Sequence, residues 1–173
     1  MKTFKAEGWI IGRRNLLNQD KIIIFFSRDL GKIILWAKNI QKITSKRLPH
    51  AQTGNYLRLV ATEKNHYYYL QDTTLISAYS QIKKSLARLN QLYLIFFILD
   101  RILPERQPEK PIFSLTYQFL KLLSSQGADE KDLTNYLNQV LIKLGYIQTT
   151  YSYSQILTKI EEIIAEKIPS FII

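Results

Sequence analysis

Lys21 to Lys38 reads KIIIFFSRDLGKIILWAK. Two runs rich in Ile, Phe, Leu and Trp flank Arg28-Asp29-Leu30-Gly31, a connection of hairpin size. Working outward, Phe4–Arg14 precedes this unit, and Tyr56–Thr62 and His66–Asp72 follow it, each with the same composition. Asn18-Gln19-Asp20 and Glu63-Lys64-Asn65 are further short connections. Five short strands in about 70 residues predict a small closed barrel, because closure removes edges that so short a sheet would leave open. An OB-type barrel is the leading candidate, and counting strands does not separate it from an SH3-like barrel.

Beyond Ser77 the spacing changes. Leu86, Leu89, Leu92, Tyr93, Phe96, Leu99 and Leu103 recur at three and four, with Ile95, Phe97 and Ile98 between them, which predicts a buried helix. Pro104, Pro108 and Pro111 end it and form a short linker. A second helix is predicted from about Ile112 to Ser125. Asp129, with Asp132 three residues on, starts a third that runs to Leu144 and stops at Gly145. A last helix spans about Ser154 to Lys167. The fold class is therefore expected to be α+β, strands first, with residues 1–77 as an OB-type domain and residues 78–173 as a helical one.

Composition narrows the function. Of 173 residues, 46% are hydrophobic and 22% charged, which is globular. No cysteine is present, so disulfides, thiolate nucleophiles and cysteine zinc sites are excluded. Glu7-Gly8 interrupts the place where a signal peptide needs its apolar run, and the longest apolar stretch, Leu92–Leu99, is eight residues. A cytoplasmic protein with no membrane partner is expected. His50 and His66 have no carboxylate at ligand spacing, and no P-loop, GxGxxG, HExxH or GxSxG motif occurs. Neither an enzyme nor a cofactor is expected.

Binding is better supported. The net charge of +10 is concentrated in residues 1–80, which carry 13 basic and 5 acidic side chains. Between Asp29 and Glu63 there is no acidic residue, while Lys32, Lys38, Lys42, Lys46, Arg47 and Arg58 all fall there. A polyanion is the natural partner of such a field. Strand alternation places Lys32, Ile34, Trp36 and Lys38 on one face, and sets Tyr56 and Arg58 opposite Leu57, Leu59 and Ala61. Aromatic and cationic groups together suit single-stranded nucleic acid, whose bases stack while its phosphates follow the charges. Ile33, Leu35 and Ala37 could equally be the inward set, or Trp36 could belong to the core. Of Tyr67, Tyr68 and Tyr69, one or two must face outward. Asn39–Asn55 reads as a polar, basic loop able to wrap a phosphate backbone. A protein-interaction adaptor whose basic face binds acidic protein tails would account for the same charge.

The chain also resembles a known family, the RecO-type recombination mediators. The resemblance lies in Glu7-Gly8, Arg13-Arg14, Asp20-Lys21-Ile22, Phe25-Phe26-Ser27-Arg28, Gly31-Lys32 and Ala37-Lys38 with the basic loop to Ser45-Lys46. It continues in Asp100-Arg101-Ile102-Leu103-Pro104-Glu105, Pro108, Phe113 and Leu141–Tyr146. It implies an OB-fold that binds single- and double-stranded DNA, followed by a helical domain. It also implies strand annealing and help in loading recombinase, without enzymatic activity. The partners it implies are a RecR-type ring protein and the C-terminal tail of single-strand binding protein. Its basic positions fall on Arg13, Arg14, Lys32, Lys38, Lys42 and Lys46. Where the family carries a four-cysteine zinc module after the Gly-Tyr stretch, this chain runs from Gly145-Tyr146 into its last helix without cysteine, so the module looks deleted. Asn39 stands where the family has glycine, and asparagine tolerates the positive φ of such a turn.

Overall fold

A computed structural model describes residues 2–42, 45 and 47–170. They form two compact units: the chain up to Tyr79 with Leu103–Glu109, and Ser80–Ile102 with the chain from Lys110 onward.

In the first unit, β1 (Lys2–Asn15), β2 (Lys21–Ser27), β3 (Gly31–Ala37), β4 (Tyr56–Lys64) and β5 (Tyr67–Ser77) close a barrel in the order β1-β2-β3-β5-β4. Every pairing is antiparallel except β3 with β5, which run parallel through Leu35↔Tyr68 and Trp36↔Tyr69. This is an OB-type barrel, as the sequence predicts, and the SH3-like alternative falls away. β1 closes it by serving two neighbours: Lys2–Trp9 pair with β4 and Gly8–Asn15 with β2. At the overlap, a Cβ on Gly8 would collide with the Phe26 carbonyl oxygen, so only glycine permits this approach.

Alternation fills the interior with Ile10, Ile23, Phe25, Ile33, Leu35, Ala37, Leu57, Leu59, Ala61 and Leu70. Ile33, Leu35 and Ala37 are thus the inward set, and Trp36 faces out. β5 runs five residues past its predicted end at Asp72 because it follows β4 back to Tyr56. A register shift at Val60/Ala61 carries it through Asp72-Thr73-Thr74, which reads as a strand end.

The segment 39–55 is more than a polar loop. Its described residues form successive turns, and Ile40 and Ala51 are completely buried in the barrel cluster. Asn39 takes φ 52°, the conformation expected of it, and its N–H donates to Asp20 Oδ1 at 2.6 Å. β4 and β5 meet at Lys64↔Tyr67 around Asn65 (φ 52°) and His66 (φ 64°), a two-residue turn of the I′ kind.

The second unit holds α1 (Ser80–Lys83), α2 (Leu86–Ile102), α3 (Lys110–Ser125), α4 (Glu130–Lys143) and α5 (Tyr153–Ile164). α2 buries Leu92, Leu94, Ile95, Phe96, Ile98, Leu99 and Ile102, as its nearly continuous apolar surface requires. The Asp129/Asp132 signal is a reciprocal capping box at the start of α4. Thr116 on α3 and Tyr136 on α4 share a buried hydroxyl contact of 2.9 Å, and burial raises the Tyr136 pKa. Buried Asn138 holds the connection before α5: its Nδ2 donates to the Tyr151 carbonyl and its Oδ1 accepts the Tyr151 N–H, at 2.9 and 2.8 Å.

Candidate nucleic-acid interface

Residues in register across neighbouring strands project to the same side of a sheet. Following the register outward from β3 gives one row across the barrel: Arg14, Ile22, Trp36, Tyr69 and Thr62. A groove of about 780 Å³ opens on this row, lined by Trp36, Lys38, Arg47, Lys64, Tyr69 and Gln71 among others, with no carboxylate in its lining among the described residues.

The rings are held by contacts that leave them partly exposed. Trp36 meets Tyr67 edge-on at 6.2 Å between centroids, and Lys38 Nζ sits 5.0 Å from the Tyr69 ring centre. Tyr67 is 54% exposed. Tyr68 instead packs against the barrel cluster, edge-on to Phe4 at 5.1 Å. Two of the three tyrosines therefore face out, as alternation requires.

Arg47 has a different part. Its Nη1 donates to the Leu70 carbonyl at 2.7 Å and its Nη2 to the Lys38 carbonyl at 2.9 Å. The parallel β3–β5 pairing stops at Trp36↔Tyr69, and Arg47 bridges the two strands just past that point. Its charge enters the groove, but its donors are engaged by the backbone.

The structure scatters the remaining candidates. Arg13 and Arg14 are exposed at the end of β1, where Arg13 Nη1 donates to the Ala51 carbonyl at 3.4 Å. Lys42 is exposed in the first turns of segment 39–55, and Lys46 lies outside the described residues. Lys32 shares the face of Trp36 but is only 8% exposed, with Glu105 and Arg106 against its backbone, so it is no part of the open surface. Tyr56 and Arg58 do face outward, yet Tyr56 packs 5.1 Å from the buried Trp9 ring and Arg58 pairs with Glu7 across β1–β4. At roughly 3.3 Å per residue, Arg58 lies about 13 Å along β4 from Thr62. The sequence signals Tyr69 only through the Tyr67-Tyr68-Tyr69 run and Lys64 only as part of a short connection, and it carries no signal for Gln71.

Lys21, the first residue of β2, adds to this positive end. Its side chain is 7% exposed, and desolvation followed by the nearby Arg13 charge lowers its pKa. The zinc group that the family resemblance implies does not fit: the chain has no cysteine, and no cluster of three or more His, Asp or Glu is placed to hold a metal among the described residues. Among those residues, too, no helix is long and apolar enough to cross a membrane.

The family described as Recombination protein O N terminal matches residues 1–79, which span all five strands. Similar curated proteins include the DNA repair protein RecO of Caldanaerobacter subterraneus subsp. tengcongensis, 24% identical over 85% of this chain and 60% of that protein. The protein of the same name from Thermoanaerobacter sp. is 27% identical over 85% of this chain and 60% of its own length. That of Listeria monocytogenes serotype 4a is 28% identical over 84% and 57%. The chain spans about 60% of the length of the curated relatives it matches. Barrel, strand order and sequence agree: residues 1–79 match the RecO N-terminal family, and the chain is similar to proteins named DNA repair protein RecO over most of its length.

Proposed function

We propose that this chain is a non-enzymatic, cytoplasmic DNA-binding protein of DNA repair and recombination. The barrel domain holds DNA, and the helical domain recruits partners. The observation that carries this reading is the groove in which Trp36 and Tyr69 lie among Lys38, Arg47 and Lys64 with no acidic residue in the lining among the described residues. Unstacked bases find aromatic faces there at about 1–3 kcal/mol each, while the cations neutralise phosphates. Arg14, Arg13 and Lys42 extend the positive surface past the groove. Screening of two strands by one positive surface lowers their mutual repulsion, which is the physical basis for annealing. Assistance to a recombinase, with a RecR-type ring protein and the tail of single-strand binding protein as partners, is part of this proposal; the resemblance to RecO-type mediators supports it, as do relatives named DNA repair proteins.

Fluorescence anisotropy of a labelled single-stranded oligonucleotide across a salt series tests the reading. The wild-type protein is expected to show a log–log salt slope of about −2 to −4. Removing two phosphate contacts with Lys38→Gln and Lys64→Gln makes that slope shallower by about 1.4. Unchanged slope and affinity in the double variant would remove the groove from the account. No binding by the wild type even at low salt would leave the basic face to acidic protein tails.

A further inference from the structure

Leu103–Glu109 joins α2 to α3 in the chain, yet it belongs to the barrel unit. The sequence reads it as a linker between helices. Among the described residues β5 pairs with β3 at Leu35 and Trp36 only, so β5 does not cover the edge of β3 before Leu35. The segment takes that place at its start: Lys32 and Glu105 form a parallel bridge, and the Arg106 N–H donates to the Lys32 carbonyl at 2.7 Å. The approach is close enough that a Cβ on Gly31 would overlap the Gln107 carbonyl.

The Arg106 side chain then reaches the β4–β5 hairpin. Its Nη2 donates to the His66 carbonyl, and its guanidinium lies 4.6 Å from the Tyr68 ring centre. The first contact falls on the turn itself and the second on β5 just beyond it, and the turn needs holding because His66 sits at φ 64°, uncommon for a residue with a Cβ. On either side of that turn lie groove elements: Lys64 and Asn65 line the groove, and Tyr67 is edge-on to Trp36.

We infer that Arg106 is a positioning residue for the groove, fixing the β4–β5 hairpin so that Lys64 and the Trp36–Tyr67 pair meet a nucleic acid in one arrangement. The inference rests on the reading that the groove binds nucleic acid. Arg106 itself touches no ligand in this account. A planar guanidinium can stack on Tyr68 and donate to His66 at once, and a lysine ammonium cannot satisfy both.

The test compares wild type, Arg106→Ala and Arg106→Lys by oligonucleotide anisotropy across a salt series, by amide exchange over residues 64–68, and by thermal melting. If loss of the clasp leaves the hairpin correctly placed about a tenth of the time, affinity falls about tenfold. The expected result for Ala is that weakening, faster exchange at 64–68 and an unchanged salt slope; Lys recovers less than half of the lost affinity on a logarithmic scale. If Ala does not fold, the Lys variant carries the test with the same expectations. Wild-type affinity in both variants overturns the inference, as does a slope shallower by about 0.7, which would make Arg106 a phosphate ligand. Failure of the wild type itself to bind refutes the groove reading instead, so the two failures are distinct.

Discussion

Replacing Arg47 by Ala should loosen the β3–β5 seam, and the size of the effect can be worked from its two contacts. The bond to the Lys38 carbonyl lies at an exposed residue, where water can take over as donor, so its loss costs about 0.5 kcal/mol. The bond to the Leu70 carbonyl lies beside a side chain that is only 4% exposed, and withdrawing a charged donor there costs about 1.5–2.5 kcal/mol. Together they amount to about 2–3 kcal/mol, or roughly 4–12 °C of Tm for a chain of this length. Circular dichroism melts and urea titrations at neutral pH measure it. Arg47→Lys, which keeps the charge and can reach one carbonyl at a time, should recover about half of the loss. A Tm for Arg47→Ala within about 1 °C of wild type would refute the reasoning, since two hydrogen bonds across the seam could not then be stabilising it.

Two further predictions follow from packing and charge. Gly8→Ala places a methyl group against the Phe26 carbonyl where β1 serves both neighbours, and it should destabilise the barrel by about 4 kcal/mol or more, read as loss of soluble, folded protein. Lys21→Met should raise the Tm, because the methionine fills the same space without the cost of desolvating an ammonium beside Arg13. The sign with pH follows from the same shift: the folded-state pKa lies below 10.5, so between the two values the unfolded chain binds more protons and stability rises with pH. That rise should be present in the wild type and missing from Lys21→Met in paired melts; parallel pH profiles would contradict it.

Local patterns in the sequence carried most of the barrel. Alternation in Ile33, Leu35 and Ala37 chose the inward face of β3, and the Asp129/Asp132 pair marked the start of α4. The candidate site was less legible because it is made by a non-local pairing. Trp36 and Tyr69 are neighbours only because β3 and β5 run parallel, and nothing in either strand announces its partner. The same closure sets Glu7 beside Arg58, so that exposed cation is paired with a carboxylate across β1–β4. Lys32 alternates as predicted, but the return of residues 105 and 106 along β3 changes its surroundings. Ile40 and Ala51 are isolated apolar residues in a polar stretch, and without periodicity their burial in the barrel had no local signal. For Arg47 the sequence shows a charge but not the Leu70 and Lys38 carbonyls that engage its donors.

The central claim is that bases stack on the partly exposed aromatic row while cations beside it hold phosphates. Trp36→Ala, titrated with a single-stranded oligonucleotide across the salt series, tests it most directly. Loss of one stacking platform worth about 1–3 kcal/mol predicts binding weaker by about 5- to 150-fold, with a salt slope equal to wild type because no phosphate contact is removed. Wild-type affinity in Trp36→Ala, with the protein folded, would contradict the account.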